Sequence, residues 1–340
     1  MALARTISVV ALATTACAAE PAADDHGQAL YGQYCALCHG DDGKGYAADQ
    51  ANALNNEDFL AIASDEFLRT AIIRGRPETS MSAWGAAHFG PLSNGDVDAL
   101  VDTIRTWQRG ESIALDERAH DGSAERGASL YEFNCAGCHG ESGQGGEYMS
   151  VANPEFLATV SDAFLRRVID YGRVATNMPP YRDKLTAQGT DDLIALLRSW
   201  QTPPTENPDA PPEQDFSQLV QNPDGPDPVF TAARFVPADE VKAALDAGHA
   251  IGFLDARPAS DYLREHIAGA MSVPFYAADD FADKLPKDSW LIAYCGCPHA
   301  ESGSLTDSLI AKGFDKVRIL DEGFFVWKER GYPVNEGASP

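Results

Sequence analysis

The sequence predicts a three-part chain: two copies of an all-α unit, then one α/β unit with a parallel sheet flanked by helices. Three observations predict it. The stretch Leu30-Tyr31-Gly32-Gln33-Tyr34-Cys35-Ala36-Leu37-Cys38-His39-Gly40 returns as Leu130-Tyr131-Glu132-Phe133-Asn134-Cys135-Ala136-Gly137-Cys138-His139-Gly140. The likeness runs on past that motif, and beyond residue 230 short apolar strands alternate with helical segments. A length of 340 residues suits three domains better than one.

Each copy reads as helices around a motif. Residues 27–43 form a helix that carries Cys35-x-x-Cys38-His39 near its C-terminal end, with Gly40 and Gly43 stopping it. Ser64 is the N-cap of a second helix, where Phe67, Leu68, Ala71 and Ile72 make an apolar stripe ending at Gly75. A third, from Asp96 to Trp107, has Leu100, Ile104 and Trp107 on one face. The segment from Asn56 to Arg69 recurs 97 residues later as Asn153 to Arg166, and the same offset carries Gly75-Arg76 and Met81 onto Gly172-Arg173 and Met178. A duplicated unit is the economical account.

Two thiols followed at once by an imidazole is the attachment chemistry of c-type haem: Cys35 and Cys38, like Cys135 and Cys138, form the thioethers, and His39 and His139 face the iron. A redox dithiol or half a zinc site are the alternatives, and neither needs the abutting His. Over residues 27–110 and again 124–202 the chain resembles the class I cytochrome c family. The resemblance implies a helical fold around haem with His39 and Met81 as axial ligands in the first domain and His139 and Met178 in the second. Met178 sits in Asn177-Met178-Pro179-Pro180-Tyr181, close to that family's Met-Pro loop, whereas Met81 is followed by Ser82 and has His88 as competitor. Met149 and Met271 fit neither ligand position. Thioether ligation fills the sixth site, which suits electron transfer.

The address and the charge narrow the partners. Residues 1–18 read as a signal peptide, so the protein is exported to the periplasm, and the small residues before Cys17 resemble a lipobox that would anchor it through acyl chains. With four of seven cysteines on haem and Cys17 on lipid or removed, no disulfide framework remains. A formal charge of −25 argues against nucleic acid and anionic lipid and for a redox partner with a basic docking surface.

Residues 203–229 have the composition of a linker: from 202 to 228 there are eight prolines, six acidic residues and no Lys or Arg. Such a segment is expected to uncouple the C-terminal unit from the two copies, with the apolar patch Phe216 to Val220 incidental. That last unit, residues 230–336, resembles the rhodanese family through Leu254-Asp255-Ala256-Arg257-Pro258, Asp261-Tyr262, His266-Ile267-Ala268-Gly269-Ala270, the strand Leu291 to Tyr294 ending in Cys295, and Gly331-Tyr332-Pro333. The resemblance implies that Cys295 is the sulfur acceptor, at a strand end facing a helix N-terminus, and that Asp255, Arg257 and Asp261 form a buried ion-pair scaffold. Cys297 adds a possible resolving thiol, and His299 a base or a helix cap. The loop has no Arg or Lys and contains Glu301, unlike thiosulfate sulfurtransferases, so small neutral sulfur species suit it better than thiosulfate.

The expectation is an exported dihaem cytochrome with two covalent haem c groups, passing electrons to or from thiol or persulfide chemistry at Cys295, a sulfurtransferase or sulfur-oxidising activity. The alternative is a pure electron carrier whose last domain docks or senses redox state.

Overall fold

The computed structural model describes residues 23–47, 51–204, 206, 210–212, 214–296 and 299–340. The expected signal peptide, Cys17 and Cys297 lie outside these residues. Among the described residues no helix is long and apolar enough to cross a membrane.

Both copies of the repeat fold alike. The first runs through helices Ala23–Tyr34, Ala36–His39, Asp65–Arg74 and Asn94–Arg105; the second through Ala124–Asn134, Ala136–His139, Asp162–Tyr171 and Ala187–Ser199. The expected helix over 27–43 is in fact two, broken at Cys35, and it stops at His39 because Gly40 turns to φ 78°. The third begins two residues early, where Ser93 and Asp96 form a reciprocal capping box. First and last helices of each copy cross closely over a glycine: a Cβ on Gly27 would lie 2.2 Å from the Ala99 carbonyl oxygen, and one on Gly127 would lie 2.1 Å from that of Asp192. Tyr31 then packs edge-on to Trp107 at 5.0 Å, as Tyr131 does to Trp200 at 4.9 Å.

The two copies meet through equivalent residues, related by a pseudo-two-fold axis. Phe67 stacks on its own counterpart Phe164 at 5.4 Å. Asn56 donates to the Val174 carbonyl and Asn153 to that of Pro77, both at 2.8 Å. Arg173 lies over Phe59 at 5.0 Å and Arg76 over Phe156 at 5.8 Å. Symmetry fails where chemistry forbids it. Val174 N–H donates to Asp58, but Pro77 has no N–H for Glu155, which pairs with Arg74 at 2.7 Å instead.

The last domain is a six-stranded sheet between helices. Its path runs Val220–Gln221, Ile251–Asp255, Trp290–Tyr294, Val317–Leu320, Phe235–Val236, and Ala270–Ser272 pairs the far half of Ile251–Asp255. All pairs are parallel except the first, so the sheet is mixed at one edge. Two expectations are corrected here. The patch from Phe216 is not incidental: Leu219 is fully buried, and Val220 pairs with Gly252, whose lack of a side chain leaves room for Leu219. Nor is the domain uncoupled, because it packs on the first helical domain. Ser260 Oγ donates to the Ala83 carbonyl at 3.1 Å, Ser82 bonds Asp261, and Tyr276 inserts beside Tyr34 and Trp84.

If Leu219 belongs to this core, Leu219→Ala should cost about 2–5 kcal/mol in urea unfolding of the α/β domain. A loss below about 0.5 kcal/mol would return the segment to the linker.

Candidate haem and thiol sites

Each Cys-x-x-Cys-His motif is held by the same bonds. The Tyr31 hydroxyl donates to the Gly40 carbonyl at 2.7 Å, and Tyr131 to that of Gly140 at 2.9 Å. His39 Nδ1 lies 2.8 Å from the Asn52 carbonyl, and His139 Nδ1 lies 2.9 Å from that of Met149. A carbonyl can only accept, so both rings carry their proton on Nδ1 and leave Nε2 its lone pair for a metal. Burial lowers the pKa of both histidines, which keeps the rings neutral as ligation requires. The same burial pushes Cys35 up to about 12 and Cys135 up to about 11, so neither is the ready thiolate of a redox dithiol. Among the described residues no cluster of three or more His, Cys, Asp and Glu side chains could hold a metal ion.

The two methionine loops also match bond for bond. Arg76 N–H donates to the Met81 carbonyl at 2.7 Å, and Arg173 N–H to that of Met178 at 2.9 Å. Met81 N–H meets Thr79 Oγ1 and Met178 N–H meets Thr176 Oγ1, both at 3.2 Å. Gly75 and Gly172 begin the loops at φ 63° and 65°, and a Cβ there would strike the Met81 or Met178 carbonyl oxygen within 2.5 Å. Ser82, in place of the expected proline, therefore leaves the Met81 loop in the same form. His88 is buried on a 3-10 turn within the fields of Arg74, Arg264 and Glu155.

In the second domain, Cys135, Cys138, His139 and Met178 line one cleft of about 1160 Å³, counting space open to solvent, with Tyr131, Phe164, Leu193 and Leu197 as apolar walls. Arg173 lines it too. Burial lowers this guanidinium to about 10, and its Nε has no hydrogen-bond partner. A flat, largely apolar group with carboxylate side arms fits that wall and that orphaned donor, and haem is such a group. Arg76, the counterpart in the first domain, is likewise lowered to about 10 by burial.

Cys295 comes directly after the strand Trp290–Tyr294 and is 1 % exposed, with Sγ 3.3 Å from Ser302 Oγ in the helix Ala300–Ala311. The expected scaffold is buried and reaches into the first domain. Arg257 and Asp255 form a buried bidentate pair at 2.6 and 2.9 Å, joined by the Tyr294 hydroxyl, but Asp261 bonds Arg264 and Ser82 of the first domain. His299 takes φ 70°, makes no side-chain cap, and places Nε2 3.2 Å from Asp321 with its ring 4.2 Å from Phe235. Sequence reasoning gave no role to Ser302, which ends the loop that begins at Cys295, or to Tyr276, which stands in no motif. It also took Glu301 for a repelling charge. Glu301 is 5 % exposed, and burial, then the neighbouring Cys295, raises its pKa well above the usual carboxylate range, which favours its neutral form beside the thiol.

This site faces the first helical domain. A Cβ at Gly296 would lie 3.6 Å from Ser80 Oγ, one residue before Met81, and the helix Ala300–Ala311 rests against Ala36–His39. Ser82 and Ala83 are 1 % and 0 % exposed beneath the α/β domain, whereas their counterparts Pro179 and Pro180 are open to solvent.

Comparison with known proteins agrees with this division. Residues 22–102 and 122–197 match the family described as cytochrome C oxidase, cbb3-type, subunit III, and residues 237–330 match the rhodanese-like domain. The chain is similar to the Cbb3-type cytochrome c oxidase subunit FixP of Bradyrhizobium diazoefficiens, 27% identical over 51% of this chain and 59% of that one. It is also similar to the dihydro-heme d1 dehydrogenase of Pseudomonas aeruginosa, 38% identical over 24% of this chain and 16% of that one. Less than two thirds of each relative's length is spanned. A solved rhodanese-like domain from Anabaena sp. is 29% identical, covering 31% of this chain and 80% of its own, with a TM-score of 0.29.

The buried acid gives a pH signature. The folded protein keeps a proton on Glu301 where the unfolded chain, at the usual 4.5, has lost it. This residue's contribution therefore lowers stability as pH rises above that value. Glu301→Gln should flatten the fall and be more stable than the parent at about pH 8. Parallel urea midpoints for the two from about pH 5 to about pH 8 would refute the assignment.

Proposed function

We propose that this chain, two tandem cytochrome c domains followed by a rhodanese-like domain, is an exported dihaem electron-transfer protein that couples sulfur chemistry at Cys295 to its haem sites. The observation that carries the reading is the seating of the Cys295 loop on the Met81 loop of the first domain. A detached sulfur module would have no reason to pack the loop after Cys295 there. Cys35, Cys38 and His39 with Met81, and Cys135, Cys138 and His139 with Met178, would each hold one haem c. Haem c held there supplies a one-electron couple per domain, two in all, the number released when a thiol and hydrosulfide become a persulfide (RSH + HS⁻ → RSSH + H⁺ + 2e⁻).

The residues of the thiol site divide the rest of the work. Cys295 carries the sulfur, Ser302 Oγ holds its Sγ, and the first-turn N–H groups of Ala300–Ala311 favour an anionic persulfide. Burial favours the neutral form of Glu301, which would add no repulsion toward hydrosulfide. Cys297 is the second thiol within reach along the chain and would resolve a persulfide by exchange. Residues 1–18 would direct export, and Cys17 would carry the anchor. An external redox protein with a basic surface would meet the acidic chain at the second domain, where Phe133 is 90 % exposed and Pro179 and Pro180 are open.

A second reading, a carrier whose rhodanese-like domain only docks or senses redox state, is favoured by the near-complete burial of Cys295. One experiment separates the two. Oxidised holoprotein, first shown by intact mass to carry two haems, is mixed with sulfide and the haem bands are followed. Coupling predicts reduction that is lost in Cys295→Ser and a gain of one sulfur on the Cys295 peptide in the parent; reduction at the same rate in both proteins leaves the carrier.

A further inference from the structure

Met149 fits no ligand position, yet it sits between the two haem-binding units. Its backbone carbonyl holds His139 Nδ1, and its thioether sulfur lies 3.6 Å from Nδ2 of Asn52. Asn52 in turn holds His39 Nδ1 through its own carbonyl. The two residues are counterparts in the duplication, 97 positions apart, and they meet across the pseudo-two-fold axis. Each therefore does two things: it fixes the imidazole of its own domain and touches the residue that fixes the other.

We propose that the Asn52–Met149 contact is the bridge along which electrons pass between the two haem sites, so that these two residues set the rate of exchange between the domains. The route is His39 to Asn52 by a hydrogen bond, through one Asn residue, across one N–H to sulfur contact, through one Met residue, and to His139 by a second hydrogen bond. Every other span of it is covalent. Tyr46, Asn52 and Ala53 of the first domain line the cleft of the second together with Met149, so the contact stands at the wall of the haem pocket. The cross-domain contacts of Asn56, Asn153, Arg173 and Arg76 bind loops or rings without touching either proximal histidine. Sulfur suits the position because a thioether is polarisable and still accepts an amide N–H.

The inference rests on both histidines binding haem iron but not on any chemistry at Cys295, so Cys295→Ser leaves it untouched. The test uses the full-length dihaem protein, with one haem reduced by a light pulse and the redistribution between the haems timed by absorbance. Met149→Leu and Asn52→Leu keep both backbone carbonyls, so intact mass and the EPR signals of each ferric site should match the parent. Exchange should slow several-fold in either variant and no further in the double variant, since both remove one contact. Met149→Gln, which restores an acceptor for the Asn52 amide, should recover part of the rate. Unchanged exchange in the single variants, or losses that multiply in the double, would overturn the bridge. Absence of a second haem, or EPR signals without imidazole ligation, would instead remove the dihaem reading beneath it.

Discussion

Everything in the molecule depends on the way two copies of one small fold share a face. Each copy buries its own helices well enough, but the aromatic surface around Phe67 and Phe164 is closed where the two rings stack on each other. Because the contact is self-complementary, whatever one copy donates the other must accept, and the amides of Asn56 and Asn153 obey that rule. The pairing turns the two motif histidines toward a common seam. It also sends the two methionine loops to different surroundings, and from that point the copies cease to be equivalent.

The divergence is chemical. Where the second copy keeps Met-Pro-Pro-Tyr, with both prolines open to solvent, the first has Met-Ser-Ala-Trp. Small residues let the neighbouring domain approach, the serine offers Asp261 a hydrogen bond, and the tryptophan receives Phe275 and Tyr276. One copy has been remade to hold a partner permanently while the other retains a free surface. A duplication thus gives a single chain two unlike ends.

Much of this was legible in the sequence. The 97-residue offset carries almost every paired contact between the copies, and the helix caps, the glycine turns before each methionine and the strand leading to Cys295 are all local patterns. What was hidden depends on distance in the chain. Ser82 read as a departure from a motif because its reason, Asp261, lies 179 residues away. Glu301 read as a charge because nothing local announces its burial. Asn52 and Met149 escaped since two equivalent positions carrying unlike residues look unrelated until the fold brings them together. Proline and acid made residues 202–228 look like a linker throughout, yet two apolar residues in it were enough to complete a sheet edge.

That sheet edge shortens the leash. With Leu219 buried and Val220 paired, the chain has joined the α/β domain by Leu219 rather than at residue 229, and covalent attachment holds that domain near its seat at an effective concentration on the order of millimolar. A dissolved protein at about micromolar concentration competing for the same loop would be outnumbered by roughly a thousandfold. The covalent connection thus works as a reservation: the surface beside Met81 is held by the chain's own α/β domain, while Pro179 and Pro180 of the second copy stay open.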